Sequence, residues 1–140
     1  MELVPALAQM ARELHPSARI LQGELLELAG GRQLSRYDLV VASGIFNARL
    51  RYTNQPGYIY AMLRCMFELA QVAVACDFMT SFVDYQHPEG WHMDPGWAMA
   101  AARSLSRRVF IRADYMPYEF ALFIFKDQQV DEQGVFRKEL

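Results

Sequence analysis

The sequence is thin in most of the residues that announce a chemistry. It has two cysteines in 140 residues, Cys65 and Cys76, and their spacing is neither a metal nor a redox motif. That excludes a disulfide scaffold and a thiol–disulfide exchange site. The pair reads as buried thiols of a reducing cytoplasm. Of the three histidines, only His87 and His92 are near one another, in a Pro/Gly loop between Asp84 and Asp94. An ordered metal site asks for more ligands, so no metal is expected. No apolar run approaches the ~18 residues of a membrane span. The opening MELVPALAQMARELHP carries Glu2 and an amphipathic pattern, which does not suit a secretory signal. Charge of one sign is also missing. The net charge is -2 with both signs mixed along the chain, so nothing electrostatic favours nucleic acid or an anionic membrane. There is no phosphate-binding loop, no Ser-His-Asp order, no repeat and no low-complexity stretch.

Apolar and aromatic residues are plentiful, at 53% and 13%. That composition and length suit one packed domain burying roughly two thirds of its unfolded surface. Pro5 opens a helix whose apolar positions are Leu7, Met10, Ala11 and Leu14, and Pro16 stops it. ARILQG, Ala18 to Gly23, reads as a short strand, and Glu24 to Arg36 as a helical turn and loop. Tyr37 to Ala42, YDLVVA, is apolar on both faces, the pattern of a central parallel strand covered by helices. Gly57 to Gln71 repeats apolar pairs every four residues and reads as a helix. Val72 to Val83 reads as a second buried strand, and His87 to His92 as loop. Asp94-Pro95 caps a helix running to about Leu105. Arg107 to Tyr115 and Tyr118 to Lys126 alternate with period two around a Pro turn, an antiparallel hairpin. The order predicts an α/β doubly wound sheet with an antiparallel ending across residues 1–126, and a polar tail over 127–140.

In open α/β sheets, ligands lie beyond the carboxyl ends of the parallel strands. Ser43-Gly44 follows the apolar strand at that place, where small residues let a flat ligand approach the backbone. The alternative reading is a tight turn that needs φ > 0 at Gly44. Gly23-Glu24 follows the preceding strand in the same way. Acidic groups at neighbouring strand ends suit a nucleoside, through ribose hydroxyls and the adenine amino group.

These segments together resemble the C-terminal two thirds of a class I S-adenosylmethionine-dependent methyltransferase. MELVPALAQMARELHP resembles the stretch after the second strand of that fold. QGELLEL resembles the segment after the third, and YDLVVASGIFN the fourth-strand motif of one subgroup. TSFVDYQ, HMDPGW and IRADYMPYEF then follow in the subgroup's order. The resemblance implies a Rossmann-like sheet lacking the first strand and most of the second. It implies S-adenosylmethionine as cofactor, with Glu2 on the ribose, Glu24 near the adenine and Leu25 against its ring. Ser43, Gly44, Ile45, Phe46 and Asn47 would flank the methionine end. Asp84, Tyr85, Asp114 and Tyr115 fall where the subgroup builds its substrate mouth. Apart from the resemblance, a single loop histidine is expected as a substrate contact or general base, with His92 the residue assigned to the substrate.

The family's Gly-rich loop after the first strand has no counterpart here. Without that strand, Tyr37 to Ala42 would present an apolar edge. The segment at Ala18 to Gln22 moves in beside it, a second chain covers it, or the sequence is a fragment. The implied activity is methyl transfer to a small-molecule O- or N-nucleophile, incomplete in this chain alone. The alternative is a non-catalytic oligomeric or regulatory module. The partners expected are a small-molecule substrate and a second copy through the Tyr37 to Ala42 edge.

Overall fold

A computed structural model describes residues 1–30 and 34–127. The elements run α1 (Pro5–Leu14), α2 (Leu25–Gly30), β1 (Tyr37–Ala42), α3 (Gln55–Leu69), β2 (Ala70–Met79), α4 (Pro95–Arg103), β3 (Val109–Arg112) and β4 (Glu119–Phe125). The chain divides into two compact units, residues 1–36 and the part from Tyr37 onward. The predicted tail lies outside the described residues beyond Asp127.

Helix starts are written locally. Proline stands in the first turn of α1, α3 and α4, where its fixed φ helps and its missing N–H costs nothing. Asn54 caps α3 by accepting the Gly57 N–H, and Asp94 caps α4 by accepting the Trp97 N–H at 2.7 Å. The sequence pattern had begun α3 only at Gly57, because its apolar repeat starts after the cap.

In the first unit α1 buries Ala8, while Leu3, Leu7, Met10 and Leu14 form an exposed stripe along one side. Arg12 is the basic residue of its last turn, and His15 caps its end. The strand expected over Ala18 to Gly23 is absent. Gln22 alone bridges to Glu2, through Glu2 N–H to Leu21 O and Gly23 N–H to Glu2 O, each 3.0 Å. Pairing so short yields too few main-chain bonds to propagate. Gly23, at φ 140°, then breaks the extended course.

The second unit is a four-stranded sheet in the order β1-β2-β4-β3. β1 and β2 are parallel, joined by α3, and the remaining pairs are antiparallel. The predicted hairpin is present, with β4 inserted between β2 and β3. Its strands are shorter than the alternation suggested. β2 likewise ends at Met79 rather than Val83. Beyond it, Thr80 turns away to bridge Met93, and its hydroxyl accepts the Phe82 N–H at 3.2 Å.

Register sorts the two faces. Val40, Val74 and Ile124 line up across the strands, as do Ala42, Cys76 and Leu122. This face is buried, with α3 packed on β1 and β2 and α4 on β3 and β4. Phe46, Phe78 and Phe120 stack through it at 5.1 and 5.3 Å between ring centroids. The opposite face aligns Val41, Ala75, Phe123 and Phe110 and stays open. Leu39 and Val41 are 61% and 67% exposed there. The reading of Tyr37 to Ala42 as a central strand covered on both faces is therefore corrected. Within the described sheet β1 is the outermost strand, covered on one face, and composition alone cannot show a face that no element covers.

Candidate functional site

The carboxyl ends of β1 and β2 lie side by side because the strands are parallel, with Ala42 opposite Cys76. Beyond Ala42 the chain enters the Ser43-Gly44 turn, and Gly44 takes φ 71°. That left-handed conformation is costly for a residue with a Cβ. Ser43 and Ile45 are exposed, while Phe46 is buried against Phe78 and anchors the turn to the core.

Bonds from several directions hold the turn. Gly44 N–H donates to Asp77 Oδ1 at 2.6 Å, and Met79 N–H donates to Asn47 Oδ1 at 3.0 Å. The Asn47 carbonyl accepts the Trp91 N–H at 2.9 Å. Ala48 bridges Gly90, and Arg49 reaches the Pro88 carbonyl while lying over the Trp91 ring. From below, buried Gln55 accepts the Leu50 N–H and donates to the Ala48 carbonyl. The indole Nε1–H of Trp91 is buried with no acceptor among the described residues.

His92 is committed on both ring nitrogens. Nδ1 is 3.0 Å from the Thr80 carbonyl, so it carries the proton, and Nε2 accepts the His87 N–H at 3.3 Å. In this arrangement it fixes the loop and has no lone pair for a base. Asp84 and Tyr85 stand exposed in the preceding bend.

On the open face, a depression of about 260 Å³ is lined by Val41, Ala75, Asp77, Arg112, Tyr115 and Phe123 among others. It brings Tyr115 together with Asp77, and so with the Gly44 turn. The Tyr115 hydroxyl is held above its ordinary pKa by partial burial and by the carboxylates of Glu119 and Asp77. Asp114 lies at the same hairpin turn, and Arg112 hydrogen-bonds it at 2.6 Å and keeps its carboxyl below the usual range. Burial, with Asp77 adding to it, pushes the Cys76 thiol up to about 12, so it is no nucleophile. Among the described residues, no group of three His, Cys, Asp or Glu is placed to hold a metal, and no helix is long and apolar enough to cross a membrane.

In the first unit, the Glu2 carboxylate accepts the Val4 N–H at 2.9 Å, close to the start of α1. Glu24 precedes α2, its carbonyl accepting the Leu28 N–H, and Leu25 is the first residue of that helix. Both are half-buried.

Sequence reasoning missed Asp77 and Arg112. The signal at Asp77 was a lone carboxylate in the apolar run AQVAVACDFM. A local rule broken without a visible gain often marks a working residue.

No family model matches the sequence, and no curated protein matches it. Solved structures do match the fold. An O-methyltransferase family protein from Burkholderia thailandensis gives a TM-score of 0.65 at 14% identity, over 87% of this chain and 41% of that one. Magnesium protoporphyrin IX methyltransferase from Synechocystis PCC 6803, with bound SAH, gives 0.58 at 12%, over 85% and 57%. A possible exported protein from Bordetella parapertussis gives 0.61 at 12%, over 88% and 51%. The described sheet is thus a partial Rossmann-like methyltransferase fold, and the chain spans about half the length of the structures it matches.

Proposed function

We propose that this chain is the larger part of an S-adenosylmethionine-dependent methyltransferase domain, over residues 1–126, acting on a small-molecule O- or N-nucleophile. The observation that carries this reading is the clamped Ser43–Asn47 turn, with Gly44 at φ 71°, at the carboxyl ends of two parallel strands. The methyltransferase neighbours, one with SAH bound, support it at the level of the fold. Ser43, Gly44, Ile45 and Asn47 would border the cofactor, with Phe46 supporting them from the core. Glu2, Glu24 and Leu25 would take the nucleoside. Tyr115, Asp114 and the exposed Asp84 and Tyr85 are the substrate side. Methyl transfer is an in-line displacement at a sulfonium, so positioning and exclusion of water do most of the work. Two buried cysteines, at a spacing that matches no disulfide or metal motif, fit a cytoplasmic setting.

A second reading has one observation in its favour. β1 is outermost and the sheet face beside it is open, as in a module that assembles with another copy through the Tyr37–Ala42 edge. Titration calorimetry of SAH into the chain, with Glu24→Ala as control, separates the two. Micromolar binding that weakens in the control supports the methyltransferase. Absence of binding by a folded, monodisperse protein means that the missing Gly-rich loop is indispensable, and the chain is then a fragment or a non-catalytic module.

A further inference from the structure

We infer that the Asp77 carboxylate is the positioning residue that sets the Ser43–Asn47 turn in its cofactor-binding shape. The inference deepens the methyltransferase reading and rests on it.

The β1–β2 ladder ends at the Ala42–Cys76 pair, so the Gly44 N–H has no strand partner. Asp77, the next residue on β2, takes that N–H at 2.6 Å. A backbone N–H given to a carboxylate makes a charge-assisted bond, roughly twice as strong as a neutral one. Met79, two residues on, gives its own N–H to the Asn47 side chain at 3.0 Å. The exchange is reciprocal: a strand carboxylate holds the start of the turn, and a turn amide holds the end of the strand. Four residues of loop are thereby pinned at both ends to one rigid strand. Side chains on rigid elements hold functional geometry better than loops do.

Asp77 is the one acidic residue of β2 and stands half-buried on the open face, among Ala75, Ala121 and Phe123. No cation pairs with Asp77 among the described salt bridges. Arg112, in the same depression, is committed to Asp114. The bond to Gly44 therefore gives a reason for this carboxylate at this position. A turn freed from Asp77 would sample the conformations open to glycine at φ > 0 and φ < 0 alike. A ligand lying on it would then have to order it on binding.

The test uses ¹⁵N-labelled chain and the variants Asp77→Asn and Asp77→Ala. In the unsubstituted protein the Gly44 amide proton should resonate downfield and exchange slowly. In D77A its exchange should quicken at least about tenfold, and SAH affinity should fall about tenfold, as expected for loss of a hydrogen bond to a charged group. D77N keeps an acceptor oxygen and should restore most of both, which a general loss of folding stability would not do. Gly44 exchange unchanged in D77A, or SAH affinity unchanged in D77A, overturns the inference. If the unsubstituted chain binds no SAH, the cofactor role falls together with the methyltransferase reading, while Gly44 exchange still decides the clamp. If D77A does not fold, D77N decides alone: an unprotected Gly44 amide despite the retained acceptor overturns the clamp.

Discussion

At residue scale, Gly44 carries a constraint that can be measured without any ligand. A Cβ added there meets nothing within 4 Å, so substitution costs conformation rather than space. Gly44→Ala should lose about 1–2 kcal/mol in denaturant unfolding, the penalty of a left-handed residue. Gly44→Asn should lose less, because asparagine visits that region more readily. Cys76 makes a second prediction. Its thiol is raised from 9.0 to about 12, so the folded state keeps a proton that the unfolded chain releases. That contribution is intact below pH 9.0 and is lost as pH climbs toward about 12. Cys76→Ala should flatten this slope in unfolding curves recorded across the window, and iodoacetamide should label Cys76 only after unfolding. At this scale the sequence was half legible. Small residues after an apolar strand pointed to Ser43-Gly44, but the hydrogen bond from Gly44 to Asp77 depends on register between residues far apart in the chain. Likewise nothing in the sequence shows that both ring nitrogens of His92 meet backbone partners.

At the scale of elements, helix starts were legible because their signals are local. Pro5, Pro56 and Pro95 with the caps Asn54 and Asp94 lie within a turn of what they determine. Asp94→Ala should cost about 1 kcal/mol of stability by thermal or denaturant unfolding, the usual value of a lost cap. Strand ends were less legible, since they are set by partners. Phe82 and Val83 have strand propensity, yet the pairing of Thr80 with Met93 ends β2 first. Ala18 to Gly23 has it too, and finds only one bridge. The ring stack of Phe46, Phe78 and Phe120 is the packing centre of the second unit. Phe78→Ala should cost about 3–5 kcal/mol, enough to leave a domain of ordinary stability only marginally folded. Circular dichroism melts would show this as a broadened, lowered transition.

At the scale of the molecule, the sheet order was only partly written in the sequence. Two alternating runs gave the hairpin, but nothing local announced that β4 would enter between β2 and β3. The open face is the other unannounced feature, because a run such as LVVA reads alike whether one face or both are covered. Leu39, Val41 and Phe110 stay exposed on it, beside β1, the outermost strand of the described sheet. Such surfaces seek cover. Sedimentation velocity should therefore show association rising with protein concentration. Val41→Lys should suppress it with stability nearly unchanged, as expected for a substitution at a position 67% exposed. The insertion of β4 also has a consequence for how the chain reaches this state. Ala73 must find Phe125, and Met79 must find Glu119, before the middle of the sheet exists. β1 and β2 can meet early through α3, but among the described strands β3 pairs with β4 alone. The strand that comes last in sequence among the described ones is thus the keystone of the sheet. Folding should wait for it, at the unhurried rate of chains whose contacts are distant in sequence, and until then β2 has its second edge bare.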